Sequence, residues 1–157
     1  MKRFAQATLA LALLVPALPA QSCPSSVQFT PYGLGCSATL LAPPTMTGAF
    51  DASTCSLTLT VFAQQTCCNV LIAGRFLVIG TQQVSIPFPL GMGCTILASL
   101  DVIVPLAGGS GGVGVTFPLP PAVIGQTVYS QGVVDRFTTI GFTHDFEFTQ
   151  GCAIDFL

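Results

Sequence analysis

The chain has 157 residues, of which 51% are hydrophobic and only 6% charged, with seven cysteines and no tryptophan. Lys2 and Arg3 precede a short apolar run, the order of a secretion signal peptide. Without these two, the chain keeps two basic and six acidic residues, a formal net charge of 2 − 6 = −4. Because nucleic acid and anionic membrane surfaces require clustered cations, neither is expected as a partner.

The N-terminal segment predicts export. Cleavage is expected after Ala20 or after Ser22, so residues 1–20 are assigned to a signal peptide and residues 23–157 to a single secreted β-domain. Cleavage after Ser22 would start the secreted chain at Cys23, and acylation of this cysteine is the alternative to plain secretion. No later segment is long and apolar enough for a membrane helix. The exported cysteines are expected to oxidise.

The remainder of the chain predicts β-structure. Leu57, Leu59 and Val61 alternate with hydroxyl residues, which indicates a half-buried strand. Further strands are expected at 70–73, 75–79, 83–88, 99–104, 113–117, 127–134 and 137–149. Prolines and glycines stand too close together for a long helix. We therefore expect an all-β fold, an antiparallel β-sandwich or jelly roll of about eight to ten short strands fastened by disulfides.

Residues 31–36 and 89–94 share the pattern Pro-x-Gly-x-Gly-Cys. The pattern predicts a turn that delivers a cysteine to the start of a strand. Equivalent turns would set both cysteines at the same end of a sandwich, so Cys36 is expected to pair with Cys94. The flanking residues do not align, which indicates one local turn used twice rather than a duplicated domain.

An odd number of cysteines leaves at least one without a partner in the chain. Cys23, near the N-terminus, is the expected free or acylated thiol. Cys55 is expected to bond either Cys67 or Cys68. Cys152 is then expected to bond whichever of these two cysteines is left. Metal and redox roles are weaker alternatives, because a zinc site needs four ligands and the chain has one histidine.

The glycine-rich stretch 108–112 fits Gly-x-Ser-x-Gly around Ser110, and Asp135 and His144 follow in the order of an α/β-hydrolase. The nucleophile elbow requires a helix after the serine, whereas the β-branched, proline-bounded stretch 113–118 predicts a strand. A hairpin loop is therefore expected, and a serine hydrolase is the distant alternative.

Period two places Asp145 and Glu147 on one face of the last predicted strand. They could help to bind calcium or act as an acid/base pair, and the competing interpretation is a solvated strand face. Asp135 and Arg136 are expected to be a turn pair at the surface. No cofactor is expected.

A set of short motifs runs through most of the chain. The set comprises Tyr32-Gly33-x-Gly35-Cys36, Phe88-Pro89-Leu90 before Gly93-Cys94, Asp101, Phe117-Pro118-Leu119-Pro120 and Tyr129-Ser130-Gln131. From Pro31 to about Gly141 the chain resembles a family of small secreted domains, abundant in planctomycete-type bacteria, with a Tyr-Gly-x-Gly-Cys start and a late aromatic-x-Gln strand.

The resemblance implies an extracellular β-domain with Asp101 inside a strand. It supplies no catalytic residue, because such domains are generally without assigned activity and are sometimes attached to larger surface proteins. Cys55, Cys67, Cys68 and the stretch 144–148 fall outside the pattern.

The sequence thus predicts a non-enzymatic exported domain that acts at the cell surface or outside it, in adhesion, matrix or envelope structure. Other cell-surface proteins or glycans are its possible partners. A carbohydrate- or calcium-binding module is the alternative. The case for sugar binding is the weaker because the chain has few tryptophan or tyrosine rings on which a sugar could stack.

Overall fold

The computed structural model describes residues 22–37, 42–65, 69–89, 93–108 and 111–157. The predicted signal peptide, Cys67, Cys68 and Ser110 lie outside these ranges. Over the described residues the protein is all-β, as predicted, with eleven antiparallel strands and one 3₁₀ turn at Pro121–Val123. No helix in these ranges is long and apolar enough to cross a membrane.

The strands are β1 (Val27–Tyr32), β2 (Thr45–Asp51), β3 (Ser56–Ala63), β4 (Val70–Gly80), β5 (Gln83–Pro87), β6 (Thr95–Ala98), β7 (Val102–Leu106), β8 (Gly111–Pro118), β9 (Thr127–Thr138), β10 (Thr143–Phe148) and β11 (Gly151–Phe156). Six of them form a central sheet in the order β1-β11-β9-β4-β7, with β10 also paired to β9. Strands β2, β3 and β8 form a small sheet, and β5 and β6 form a hairpin.

The main core lies between the small sheet and the inner face of the central sheet. Strand β3 turns Leu57, Leu59 and Val61 into this core and its threonines outward, as its alternation predicts. Leu77 and Val134 face them from the central sheet and are fully buried. Each such aliphatic side chain contributes about 1.5–3 kcal/mol by leaving water.

A second apolar cluster lies on the outer face of the central sheet, under the β5–β6 hairpin. Val78, Val133 and Phe148 meet Cys94 and Ala98 there. Strand β9 is therefore covered on both faces, and five successive residues from Ser130 to Val134 are buried. The molecule is thus a sandwich of two sheets with the hairpin as a partial third layer.

Two disulfides join parts of this assembly. Cys36 bonds Cys94, the pair that the repeated turn predicts, with Cα atoms 5.5 Å apart. Because Cys36 also forms a β-bridge with Phe148, this bond ties the hairpin to the edge strand β10. Cys23 bonds Cys55 with Cα atoms 5.7 Å apart. The closed loops of 58 and 32 residues correspond to about 4 kcal/mol each in the chain-entropy view.

The second disulfide corrects the other cysteine predictions. Cys55 bonds neither Cys67 nor Cys68, and Cys23 is neither a free thiol nor available for acylation, because its sulfur is already bonded. Cys152 is a free, half-buried thiol in β11. The sequence did not show that the N-terminal segment is held beside the C-terminus, where the backbone N–H groups of Ser25 and Ser26 donate to Leu157.

The two Pro-x-Gly-x-Gly-Cys segments differ in conformation. In the first, Gly33 has a positive φ of 64°, and in the second Gly93 has a positive φ of 79°. These glycines occupy the third and the fifth position of the motif, and residues 90–92 lie outside the described ranges. The second segment delivers Cys94 directly to β6, as predicted.

The predicted strand at 99–104 begins three residues too early. The chain turns at residues 99–101, with β6 before the turn and β7 after it. The Asp101 carboxylate stabilises this turn, because it accepts hydrogen bonds from the Thr81 amide and hydroxyl, both at 2.7 Å, and from the Ser99 hydroxyl. Asp101 is therefore a turn residue, unlike the strand residue that the resemblance implies.

Other boundaries also differ from the predictions. The runs 70–73 and 75–79 form one strand, β4, with a register shift between Ile72 and Gly74. Asp135 and Arg136 lie inside β9 rather than in a surface turn. Pro105 lies inside β7, where it is tolerated because β7 is an edge strand.

Candidate binding surfaces

Asp135 and His144 meet on the outer face of the central sheet. His144 Nδ1 lies 2.8 Å from Asp135 Oδ1, and the imidazole is 52% exposed. Ser110, the nucleophile of the hydrolase alternative, lies outside the described residues. Its neighbour Gly111 begins β8, which belongs to the small sheet on the opposite side of the central sheet. Asp135 and His144 thus supply the acid and the base of the hydrolase alternative. They lie away from β8, the strand that follows Ser110 in the chain.

Glu147 is fully buried, which corrects the expected solvated strand face. Arg136 Nε donates to Glu147 Oε2 at 2.5 Å, and the Ser37 hydroxyl donates to Oε1 at 2.5 Å. Arg136 also donates to the Gln64 carbonyl at 3.0 Å. Two buried charges that compensate each other in this way have a structural role, because either one alone would be costly.

This arrangement engages one member of the predicted calcium pair in hydrogen bonds within the protein. Both carboxylate oxygens of Glu147 are engaged by Arg136 and Ser37, whereas Asp145 lies at the register position opposite Arg136. Across the part of the chain that the structure describes, no group of three or more His, Cys, Asp or Glu residues could hold a metal ion.

Arg75 is the second buried cation. Its Nη2 donates to the Gly111 carbonyl at 3.1 Å. Burial, and then the nearby positive charge of Arg136, lower the pKa of Arg75. Arg75 and Arg136 are the two basic residues within the described ranges, and both are buried. The described surface therefore presents carboxylates and hydroxyls without an exposed lysine or arginine.

The exposed carboxylates hold turns and strand pairs. Asp51 accepts hydrogen bonds from the Ser53 amide and hydroxyl and from the Thr54 hydroxyl. These bonds, that from the Ser53 hydroxyl first, lower the pKa of Asp51. Asp155 accepts from the Thr127 hydroxyl at 2.5 Å and so joins β11 to β9.

Cys152 faces the edge of the main core. Burial raises the pKa of its thiol. Since the thiolate is the reactive form, this thiol is a poor nucleophile at neutral pH.

The small sheet exposes an array of hydroxyl groups, which we call the threonine face. Its outward residues are Thr45, Thr47, Ala49 and Asp51 of β2, Ser56, Thr58, Thr60 and Phe62 of β3, and Gly112, Gly114, Thr116 and Pro118 of β8. Thr47 stands opposite Thr60, and the hydroxyls of Thr58 and Thr116 lie 2.9 Å apart. The one charge on this face, Asp51, lies at its end. The alternation of β3 predicted its central row, but the flanking rows depend on strand pairing.

The residues of the aromatic-x-Gln motif hold the β5–β6 hairpin in place. The buried Gln131 accepts from the Leu97 amide at 2.9 Å and donates to the carbonyls of Thr95 at 3.2 Å and Thr149 at 2.9 Å. The Tyr32 hydroxyl donates to the Leu97 carbonyl at 2.7 Å, and its ring meets Tyr129 edge-on. Burial raises the pKa of Tyr32 to about 12.

Two further apolar features lie on the described surface. A cavity of about 280 Å³ opens beside the hairpin and is lined by four phenylalanines and five aliphatic residues. At the tip of the β9–β10 hairpin, Phe142 is 80% exposed and has a positive φ of 53°. The sequence did not show the cavity, because its walls come from several separate strands and turns.

Comparisons with protein-family models, with curated proteins and with solved structures find no match. The functional argument therefore rests on the residues of this chain.

Proposed function

We propose that the chain is an exported, non-enzymatic domain that acts at the cell surface or outside the cell, in adhesion or envelope structure, through its threonine face. The observation that carries the proposal is this almost uncharged, hydroxyl-rich surface on a disulfide-bonded sheet. The other polar groups support the proposal, because Glu147, Asp51 and Asp101 are engaged in structural hydrogen bonds.

The chemistry of the face suits a neutral, hydroxylated partner. Threonine offers a hydroxyl that donates and accepts and a methyl group that is easily desolvated, and neither carries the desolvation cost of a charge. Neighbouring strands repeat these groups about 4.8 Å apart, and alternate residues along a strand repeat them about 7 Å apart. Many weak contacts on a repeating polymer, such as an envelope glycan, would add up through multivalency.

The two disulfides support the proposed location. Such bonds persist in oxidising compartments and are rare in the cytosol. A reduced protein recovered from the cytoplasm of its own cells would contradict export, whereas an oxidised protein in the envelope or medium is the expected result.

Co-sedimentation tests the threonine face. The oxidised domain is incubated with the envelope fraction of its own cells and with insoluble uncharged polysaccharide. We expect T47K/T116K to sediment at least fivefold less than the unmodified chain, because two ammonium groups would have to be desolvated at the contact. The control Q83K/S85K adds the same charge at two exposed positions of β5 and is expected to sediment normally. Equal sedimentation of both variants would reject the face as the contact.

A sugar-binding site is a second candidate, favoured by the β9–β10 tip. Phe142 holds a left-handed backbone conformation that bulky residues rarely adopt, and such strain clusters at functional sites. Its exposed ring lies 6.2 Å from the ring of Phe137, close to the Asp135–His144 pair. Aromatic faces stack on the apolar faces of sugars, and carboxylates accept hydrogen bonds from sugar hydroxyls.

Glycan-array binding distinguishes this second candidate. F142A is expected to abolish the signal, whereas I140A, which removes a 70% exposed but non-aromatic side chain from the same turn, is expected to retain it. An array without signal for the unmodified domain would reject the candidate.

A further inference from the structure

The cavity beside the β5–β6 hairpin lies between the outer face of the central sheet and the turn that leads into β7. Phe76, Val78 and Val133 form its floor from the sheet, and Phe88 and Ile96 form a wall from the hairpin region. Leu100 and Ile103 stand at its mouth, 53% and 55% exposed. The hairpin wall is fixed by the Cys36–Cys94 bond and the Gln131 hydrogen bonds, so the cavity is largely preformed.

The lining fixes the chemistry of an occupant. Every side chain that lines the cavity is apolar. Ordered water needs two to four polar partners, and the walls of this open cavity provide none, so an apolar molecule that enters displaces poorly bound water. An occupant therefore gains by transferring apolar surface out of water and finds no group in the walls that would orient a polar part.

The volume limits the size of the occupant. An engineered apolar cavity of about 150 Å³ binds benzene, which has six carbon atoms. At the same packing, about 280 Å³ holds about ten to eleven carbon atoms.

The charge of the surroundings limits the head group. Arg75 and Arg136 are both buried and directed to the inner face, toward Gly111 and Gln64. The described surface thus offers no exposed lysine or arginine to pair with a carboxylate or phosphate, whereas the outer face near the cavity carries Asp101 and Asp135. Charge complementarity favours an uncharged occupant over a fatty acid.

We propose that this cavity is a binding site for a small, neutral, apolar molecule of about ten carbon atoms, of the hydrocarbon or aromatic class. This inference is independent of the threonine face, which lies on the opposite side of the molecule.

Equilibrium dialysis of the oxidised domain with naphthalene tests the proposal. The expected result is saturable uptake of one molecule per chain. 1-Decanol is expected to displace it at concentrations at least tenfold lower than decanoate, which has the same chain length and a negative charge. Absence of saturable uptake, or equal displacement by the two competitors, would overturn the proposed ligand class.

Two neighbouring substitutions locate the site. Ile103 and Val102 are adjacent on β7, are 55% and 51% exposed and point to opposite faces, and Ile103 alone lines the cavity. I103E is expected to weaken naphthalene binding at least tenfold, whereas V102E is expected to leave it unchanged. Thermal unfolding verifies that both variants fold, and L100E replaces I103E if the latter does not. Binding that is equally strong in both glutamate variants would place the probe elsewhere and overturn the proposal.

Discussion

Tyr32 shows how a single side chain connects the first turn motif to the hairpin. Its hydroxyl donates to Leu97 of β6, and burial holds the phenol in its neutral form with a pKa of about 12. An unfolded chain releases this proton near the usual tyrosine value of about 10. A folded pKa above the unfolded value stabilises the fold fully at lower pH, and this contribution is lost as pH rises from about 10 to about 12.

Y32F is therefore expected to flatten the alkaline loss of stability. The variant should be less stable at neutral pH, because the Leu97 carbonyl loses its donor, at a cost of about 1 kcal/mol. Its free energy of unfolding should then fall less steeply than that of the unmodified chain between pH 10 and 12. Urea unfolding at a series of pH values measures both effects. Y129F is the control. It keeps Tyr32, so its absorbance should still show the formation of tyrosinate near pH 12.

Asp101 gives the opposite pH dependence. The hydrogen bonds from the Thr81 side chain, then from the Thr81 amide and Ser99, lower the pKa of Asp101. A lowered folded pKa stabilises the fold above the unfolded carboxyl range and loses this contribution as pH falls through the folded value. D101N should accordingly lower the thermal midpoint at pH 7, and its difference from the unmodified chain should shrink progressively as pH falls below about 4. A constant difference between the two midpoints from pH 7 to pH 3 would contradict this role.

At the scale of elements, β9 organises the fold because it contacts a partner on each face and on each edge. Arg136 on its inner face reaches β10 and the end of β3, and Gln131 on its outer face reaches β6 and the segment before β11. A strand with long polar side chains in buried positions depends on those partners, since each unpaired group would cost free energy.

Q131M is expected to lower the free energy of unfolding by about 2–4 kcal/mol. Methionine fills a similar volume but leaves the Leu97 amide and the carbonyls of Thr95 and Thr149 without the partner they have in the native fold. Q126M, at an exposed position just before β9, is the matched control and should change stability by less than about 0.5 kcal/mol. Chemical denaturation of the oxidised proteins measures both, and equal stability of the two variants would contradict the proposed attachment.

The sequence predicted those elements whose pattern is local. The alternation in β3 gave its inward and outward residues, and the repeated turn gave the Cys36–Cys94 bond. Glu147 was misjudged because its burial depends on Arg136, eleven residues earlier on the neighbouring strand, and a period-two pattern does not reveal which face of a strand is covered. Asp101 was misjudged for a similar reason, since its hydrogen-bond donor Thr81 is twenty residues away.

At the scale of the whole molecule, the two disulfides fasten different layers. Cys23–Cys55 holds the N-terminal segment to the turn after β2, whereas Cys36–Cys94 holds the hairpin against the central sheet. Their closed loops predict similar losses of stability, about 2–5 kcal/mol for each bond. The effect on the apolar cavity should differ, because only the second bond fixes one of its walls.

C36A/C94A is accordingly expected to weaken naphthalene binding at least fivefold, while C23A/C55A binds it as the unmodified chain does. Dialysis is performed at a temperature at which thermal unfolding shows both variants to be folded. Equal binding by the two variants would show that the hairpin is held without its disulfide.

The burial of both arginines also determines how easily trypsin cleaves the domain. Trypsin cleaves after lysine or arginine, and beyond Arg3 the only such residues in the sequence are Arg75 and Arg136. Both lie in the central strands β4 and β9, which pair with each other along most of their length. A loop opening or a frayed end therefore exposes no cleavage site, and the protease can act only after the central sheet itself has come apart.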